Sequence, residues 1–397
     1  MLNPVIRLRN ALQAGSLVLA IAGIGHPIAA LAQTTSTVPF RQVGQHIYLG
    51  AKINGSLVTM VLDSGAGVNV LTPAAADKLG IKGKVSGVSA VGAGGAPIQV
   101  KAAMLDTIET GSVKLTSQPA FILALPNALK CDGLLGTPFF QKWVVGIDYA
   151  AHQITLTAPA DFTAPTDPDT KLLPLDAREQ TVHVRGKVDG IDALLRVDTG
   201  ASDALTLFAP FVAKNHMREA YDRRLRMVTG RGVGGMIYGD LVRLKSVDLG
   251  DFHFEGVVSS LSIQKQGAFA SATLAGNLGA ELLQRFTVTF DEPHNRMFLK
   301  KNSNFGLPFI GNRTGLGVDF DGGKLTVQSV IEGSPAVAAG IQVGDVILKV
   351  ENLSVSNTTL ADIRDLFRSQ AGRVVHVSIQ TPAGQTREVL LTLKEQL

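Results

Sequence analysis

Between Val38 and Leu125 apolar and polar positions follow the short period of strands: His46-Ile-Tyr-Leu49 alternates, and Leu57-Val-Thr-Met-Val-Leu62 is a continuous apolar run. A short helix is predicted at Pro73 to Leu79, started by the proline and stopped by Gly80. Val91-Gly-Ala-Gly-Gly-Ala-Pro97 then forms a glycine-rich tip between strand-like arms, with Gly92, Gly94 and Gly95 at its apex. Asp132-Gly-Leu-Leu-Gly-Thr-Pro-Phe-Phe140 and Val144-Val-Gly-Ile-Asp-Tyr149 close this unit, and the proline-rich, polar stretch 158–170 reads as a linker.

From Lys171 the same pattern runs again. Leu57-Val-Thr-Met-Val-Leu-Asp-Ser-Gly-Ala-Gly67 is answered by Leu194-Leu-Arg-Val-Asp-Thr-Gly-Ala-Ser202, which sets Asp198 against Asp63 at an offset of 135 (198 − 63). Gly250 answers Gly111 at 139 (250 − 111), and Gly279 answers Gly136 at 143 (279 − 136). An offset that drifts only by loop-sized steps is what a duplicated unit predicts. The second glycine-rich tip, Thr229-Gly-Arg-Gly-Val-Gly-Gly235, contributes Gly230, Gly232, Gly234 and Gly235. It resembles a dinucleotide loop only superficially. Strand-like Met236 to Leu244 follows it, where a nucleotide site needs a helix N-terminus, so a hairpin flap is the better assignment.

A different unit follows the loop 302–312. It contains Gly315-Leu-Gly-Val318, Gly333-Ser-Pro-Ala-Val-Ala-Ala-Gly-Ile-Gln-Val-Gly-Asp-Val-Ile347, and a helix from Thr359 to Phe367 whose start resembles a capping box. Strand-like runs Val374 to Gln380 and Arg387 to Leu393 complete it. The predicted organisation is a leader over 1–32, two repeats over 33–160 and 161–305, and a last domain over 306–397.

Composition narrows the compartment and the partners. Arg7 and Arg9, the apolar run Ala11 to Ile24 and Ala30-Leu31-Ala32 read as an export signal cleaved before Gln33, which predicts a periplasmic or secreted protein. Membrane contact is expected only if that segment is retained. The net charge of +4 is spread along the chain without a Lys/Arg cluster, so nucleic acid is not an expected partner. The single cysteine, Cys131, excludes an internal disulfide, and a buried apolar role is expected for it. One cysteine and 8 histidines with no pair at ligand spacing support no metal site, and no cofactor is expected.

The chemistry then rests on the two aspartates. Two adjacent carboxyls sharing one proton can take a proton from water and give one to a carbonyl oxygen, because like charges in contact cannot both ionise. Gly65 and Gly200 allow a tight turn and close approach. Ser64 and Thr199 carry hydroxyls suited to locking the loops across a pseudo-twofold axis.

Asp63-Ser-Gly and Asp198-Thr-Gly, together with Leu134-Leu-Gly136 and Asn277-Leu-Gly279, resemble the catalytic triplets and supporting turns of retropepsin/pepsin aspartic proteases. Asn277 departs from the pattern, which has an apolar residue there. The last segment is similar to a bacterial-type PDZ domain, with Gly315, Leu316, Gly317 and Val318 as its carboxylate-binding loop. The resemblance implies a mainly β fold: two pseudo-symmetric retropepsin-like barrel lobes forming a pepsin-like bilobal protease, followed by an α+β PDZ domain. It further implies an aspartic endopeptidase with a polypeptide substrate, flaps that fold over it, and a PDZ domain that receives C-terminal or extended peptide tails. Ile363 or Phe367 would line an apolar pocket beside the PDZ helix, or face the core. Ala66 and Ala201 stand where pepsins carry Ser or Thr, which implies a dyad working at mildly acidic to near-neutral pH. The alternative from another class is a catalytically inactive peptide-binding or scaffold protein using the same two folds as receptors.

Overall fold

A sheet shared by the two repeats forms the base on which the rest is mounted. Its strands run in the order Thr35–Pro39, Gln153–Thr157, Val144–Asp148, Phe286–Asp291, Arg296–Lys301, Thr170–Pro174. The repeats meet at its centre, where Val144–Asp148 pairs antiparallel with Phe286–Asp291, setting Gly146 opposite Thr289. Alternate residues of both central strands are buried, including Val145, Ile147, Val288 and Phe290, and Phe140 packs edge-on against Phe290 across the seam. The structure is a computed structural model that describes residues 35–397 other than 179 and 322; the expected export signal lies outside the described residues.

Each repeat adds its own sheet above the base, so the fold is mainly β with two related lobes. In the first, Ser56–Leu62 runs parallel to Gly133–Leu135, with Met60 opposite Gly133 and Leu62 opposite Leu135. In the second, Ile191–Asp198 runs parallel to Gly276–Gly279, with Leu195 opposite Gly276 and Asp198 opposite Gly279. The short strands Gly133–Leu135 and Gly276–Gly279 are buried throughout, whereas Ile191–Asp198 alternates between buried and half-exposed positions and Ser56–Leu62 is buried mainly towards its end. Leu62, Leu135, Leu195 and Leu278 are fully buried, each worth about 1.5–3 kcal/mol of transfer from water. The predicted helix after the first triplet spans Pro73–Lys78, capped by the Thr72 side chain, which accepts from Ala75 N.

The C-terminal domain has its own core, built from residues such as Val327, Ile347, Ile363, Phe367 and Val377. Its sheet runs Leu316–Asp321, Lys324–Val330, Val346–Val350, Val374–Gln380, Thr386–Thr392. The helix Leu360–Phe367 carries the full capping box: Thr359 accepts from Asp362 N, and the Asp362 carboxyl accepts from Thr359 N. Among the described residues no helix is long and apolar enough to cross a membrane.

Candidate active site

The two triplets lie at the ends of the equivalent strands and are tied to one another. Ser64 N donates to Thr199 Oγ1 at 3.0 Å, and Thr199 N donates to Ser64 Oγ at 3.1 Å. Each hydroxyl then donates across the axis, Ser64 Oγ to Val197 O and Thr199 Oγ1 to Leu62 O, both at 2.8 Å. Both side chains are completely buried, and each hydroxyl spends its single donor and one acceptor position on this lock. Gly65 N and Gly200 N donate to Oδ1 of their own lobe's aspartate at 3.0 and 2.8 Å. A Cβ on Gly65 would stand 2.5 Å from both carboxyl oxygens of Asp198, and one on Gly200 would stand 2.5 and 2.6 Å from those of Asp63. Glycine is required there by the approach of the opposite carboxyl.

Asp63 and Asp198 face each other, each carboxyl against the opposite lobe's glycine, within reach of a hydrogen bond between them. Burial, then the charge of Asp198, then that hydrogen bond raise the Asp63 carboxyl well above the usual carboxylate range, outweighing the amides of Gly65 and Ala66 that pull the other way.

The turns behind the triplets pack equally tightly in both lobes. Thr137 N donates to Ala66 O and Ala280 N to Ala201 O, each at 2.8 Å. A Cβ on Gly136 would meet Ala66 O at 2.5 Å. The turns differ at one residue. Leu134 packs in an apolar cluster with Tyr48, Val61 and Val70, whereas the fully buried Asn277 turns its Nδ2 to Asp198 Oδ2 at 2.8 Å and leaves its Oδ1 without a partner. The polar residue that departs from the sequence pattern is therefore a direct ligand of one aspartate and leaves the strand register intact.

The glycine tips are joined to each other. Gly94 N donates to Val233 O at 2.9 Å, Ala96 N to Gly234 O at 3.3 Å, and Ala268 N to Gly92 O at 3.1 Å. Gln264 Nε2 reaches both Ala93 O and Met236 O at 3.2 Å. Missing Cβ atoms let the backbones touch: any side chain on Gly94 would sit on the Gly235 amide. Of the tip glycines, Gly92, Gly230 and Gly232 line the cavity below, while Gly94, Gly95, Gly234 and Gly235 form the junction itself.

That cavity, of about 830 Å³, has a wall that the sequence does not place there. Asp63 and Asp198 share it with the strand from Leu316 to Asp319 and the helix residues Ala361, Arg364 and Arg368 of the C-terminal domain. The domain is docked on the second flap: Val228 N donates to Ser329 Oγ at 3.1 Å, Arg231 pairs with Asp319, and Leu225 and Met227 pack with Ile331. Leu316, Gly317 and Val318 line the cavity, but two amides of the glycine loop are already engaged, Gly315 N with Asn312 Oδ1 at 2.7 Å and Leu316 N with Thr314 Oγ1 at 3.1 Å. Of the two residues expected either in a pocket beside the PDZ helix or in the core, Ile363 lies in the core alone, while Phe367 belongs to the core and also lines the cavity.

His46, a lone histidine with no motif around it, also lines the cavity. Its Nε2 lies 3.0 Å from Gly200 O, and burial lowers its pKa more than that contact and the charge of Asp198 raise it. Burial likewise pushes the Cys131 thiol up to about 11, which leaves it protonated and unreactive at neutral pH.

An aspartyl protease family model matches residues 49–139 and 184–282, and a PDZ domain model matches residues 326–381. Among curated proteins, the chain is 29% identical over 123 residues to a chloroplastic C-terminal processing peptidase of Tetradesmus obliquus, covering 29% of this chain and 26% of that protein. It is 27% identical over 122 residues to a probable CtpA-like serine protease of Staphylococcus saprophyticus, covering 30% and 25%. The chain thus spans about a quarter of the length of these curated relatives. Among solved structures, a retropepsin-like aspartic protease from Rickettsia conorii aligns at 21% identity and a TM-score of 0.26, covering 32% of this chain and 95% of that one. An aspartic proteinase from Irpex lacteus aligns at 13% identity and a TM-score of 0.43, covering 69% and 99%.

Proposed function

We propose that this chain, matched by an aspartyl protease family model in both repeats and by a PDZ domain model, is an exported aspartic endopeptidase in which Asp63 and Asp198 hydrolyse peptide bonds through an activated water. The observation that carries this reading is the pair of half-buried carboxyls facing each other, each against the opposite lobe's glycine, held by the crossed Ser64 and Thr199 bonds.

The surroundings assign the roles. Each aspartate accepts from its own lobe's glycine amide, but only Asp198 also accepts from a side-chain amide, Asn277 Nδ2, so in this reading Asp198 carries the charge and Asp63 the shared proton. Asp198 takes a proton from water as the water oxygen bonds to the carbonyl carbon, and Asp63 gives its proton to the carbonyl oxygen. The tetrahedral diol then collapses: the carbon–nitrogen bond breaks, Asp198 returns its proton to the leaving nitrogen, and one diol hydroxyl returns a proton to Asp63. The products are an amine and a carboxylic acid, and the dyad is restored.

Substrate entry requires the joined glycine tips to part, a motion that closure over the substrate would reverse while excluding water. The PDZ domain recruits or positions polypeptide at the same cavity. The export signal over 1–32 would deliver the protein to the periplasm or beyond. The burial that raises Asp63, with Ala66 and Ala201 beside the triplets, supports activity at mildly acidic to near-neutral pH. Incubating residues 33–397 with an unfolded polypeptide tests the reading. Asp63→Asn and Asp198→Asn are each expected to lower the rate by about 1000-fold or more. Activity that survives either substitution removes the dyad mechanism, and no activity in the unsubstituted protein leaves a peptide-binding protein on the same fold.

A further inference from the structure

Four arginines line the cavity that the dyad shares with the PDZ domain, and three of them have a ring or a carboxylate as partner, although the buried Nε of Arg196 makes no hydrogen bond. Arg196 lies over the Phe208 ring, Arg231 pairs with Asp319, and Arg368 stands 3.8 Å from Glu281. The fourth, Arg364, lines the cavity from the PDZ helix, beside Leu360 and Phe367, which reach both the cavity and the domain core. Among the described residues its guanidinium has no hydrogen bond, ion pair or ring partner. Asp319 is near enough for its charge to be felt, yet that carboxyl is occupied by Arg231. Burial and the neighbouring Arg368 push the Arg364 guanidinium down to about 10, as expected of a cation stripped of water without a counter-charge.

A partly buried cation with no partner costs free energy unless something of opposite charge arrives. A planar guanidinium facing a cavity is suited to the two oxygens of a carboxylate. We propose that Arg364 is a carboxylate-recognition residue of the substrate cleft, binding either an acidic side chain or the free C-terminus of the polypeptide held at the dyad. The proposal rests on the peptidase reading for the identity of the ligand. Its position fits, since a second negative charge placed against the dyad would be repelled. His46, beside Gly200, is close enough to feel the charges of both Asp198 and Arg364, so the two sites lie within the span of one short bound segment. The engaged amides of Gly315 and Leu316 leave the guanidinium as the stronger anion ligand on this wall.

Binding can be read without turnover. Full-length protein carrying Asp63→Asn is titrated with fluorescent peptides of one neutral core sequence in three forms: amidated, free acid, and amidated with a single Glu at successive positions. At least one carboxylate-bearing form is expected to bind about tenfold or more tightly than the neutral amide. Adding Arg364→Gln is expected to bring that ratio close to one, and Arg364→Lys to restore part of it, with an unchanged thermal midpoint certifying the fold. The free-acid and Glu arms identify the source of the carboxylate. Equal binding of all forms, or a ratio that Arg364→Gln leaves intact, overturns the proposal. Carboxylate preference in a protein whose wild type cuts none of the peptides would instead reject the peptidase reading and keep the site.

Discussion

Leu134 and Asn277 occupy the same place in the two lobes, each in the strand parallel to the one that ends in an aspartate, yet one faces an apolar cluster and the other bonds a carboxyl. The triplets themselves are nearly interchangeable: the same crossed hydroxyl bonds, the same glycine amide on Oδ1, the same alanine beyond. Two identical halves would leave the shared proton equally at home on either oxygen pair. A buried amide on one side removes that equivalence, because it stabilises a charge on Asp198 and offers nothing to Asp63. A duplicated chain can make this distinction, whereas two copies of one lobe cannot. The flaps differ in the same sense: the second is fastened to the PDZ domain through Val228 and Arg231, while the first is held at its tip.

The symmetric part of this comparison should be the least tolerant of change. Gly65→Ala or Gly200→Ala would push a methyl into the opposite carboxyl, and either is expected to cost about 100-fold or more in kcat/KM, since misplacement by an ångström has that effect. An equal loss from both would uphold the equivalence of the triplets; a tolerated methyl on one side would end it.

The asymmetric part predicts opposite shifts. Asn277→Leu removes a donor from ionised Asp198, so the acid limb of the pH–rate profile moves to higher pH by about one to two units, given about 1.5–3 kcal/mol for a hydrogen bond to a charge. Leu134→Asn places an amide beside Asp63, stabilises its ionised form and moves the alkaline limb to lower pH. If Asn277→Leu lowers the rate without moving either limb, the amide serves packing alone.

The smallest effect concerns the base sheet, where Tyr149 and Glu292 are equivalent at the offset of 143 (292 − 149). Each buries an oxygen without a partner, but only the glutamate titrates in the working range: burial raises it from 4.5 to about 8. A carboxylate with a raised folded-state pKa loses stability as pH rises between those two values. Glu292→Gln should therefore raise the thermal midpoint at pH 8 and above, with the gain vanishing towards pH 4.5, whereas Tyr149→Phe should show no such pH dependence. A midpoint difference independent of pH would mean that Glu292 finds a counter-charge in solution.

The sequence by itself determined the architecture. Strand period, the repeated triplet and its supporting turn, the glycine tips, and the capped helix of the last domain are all written within a few residues of one another, where local sterics and burial decide conformation. It also pointed to the two aspartates, because their repeat is visible along the chain. What only the tertiary structure decided depends on groups far apart in sequence. Asn277 meets Asp198 across 79 residues and Arg231 meets Asp319 across 88, so neither partner carries a local sign of the other. The joining of the two glycine tips, the turn of Ile363 and Phe367 into the core, and the exposure of Arg364 to the cavity follow the same rule. A side chain's surroundings are set by the assembled packing, and the pattern around it in the chain records only which face of its own element it occupies.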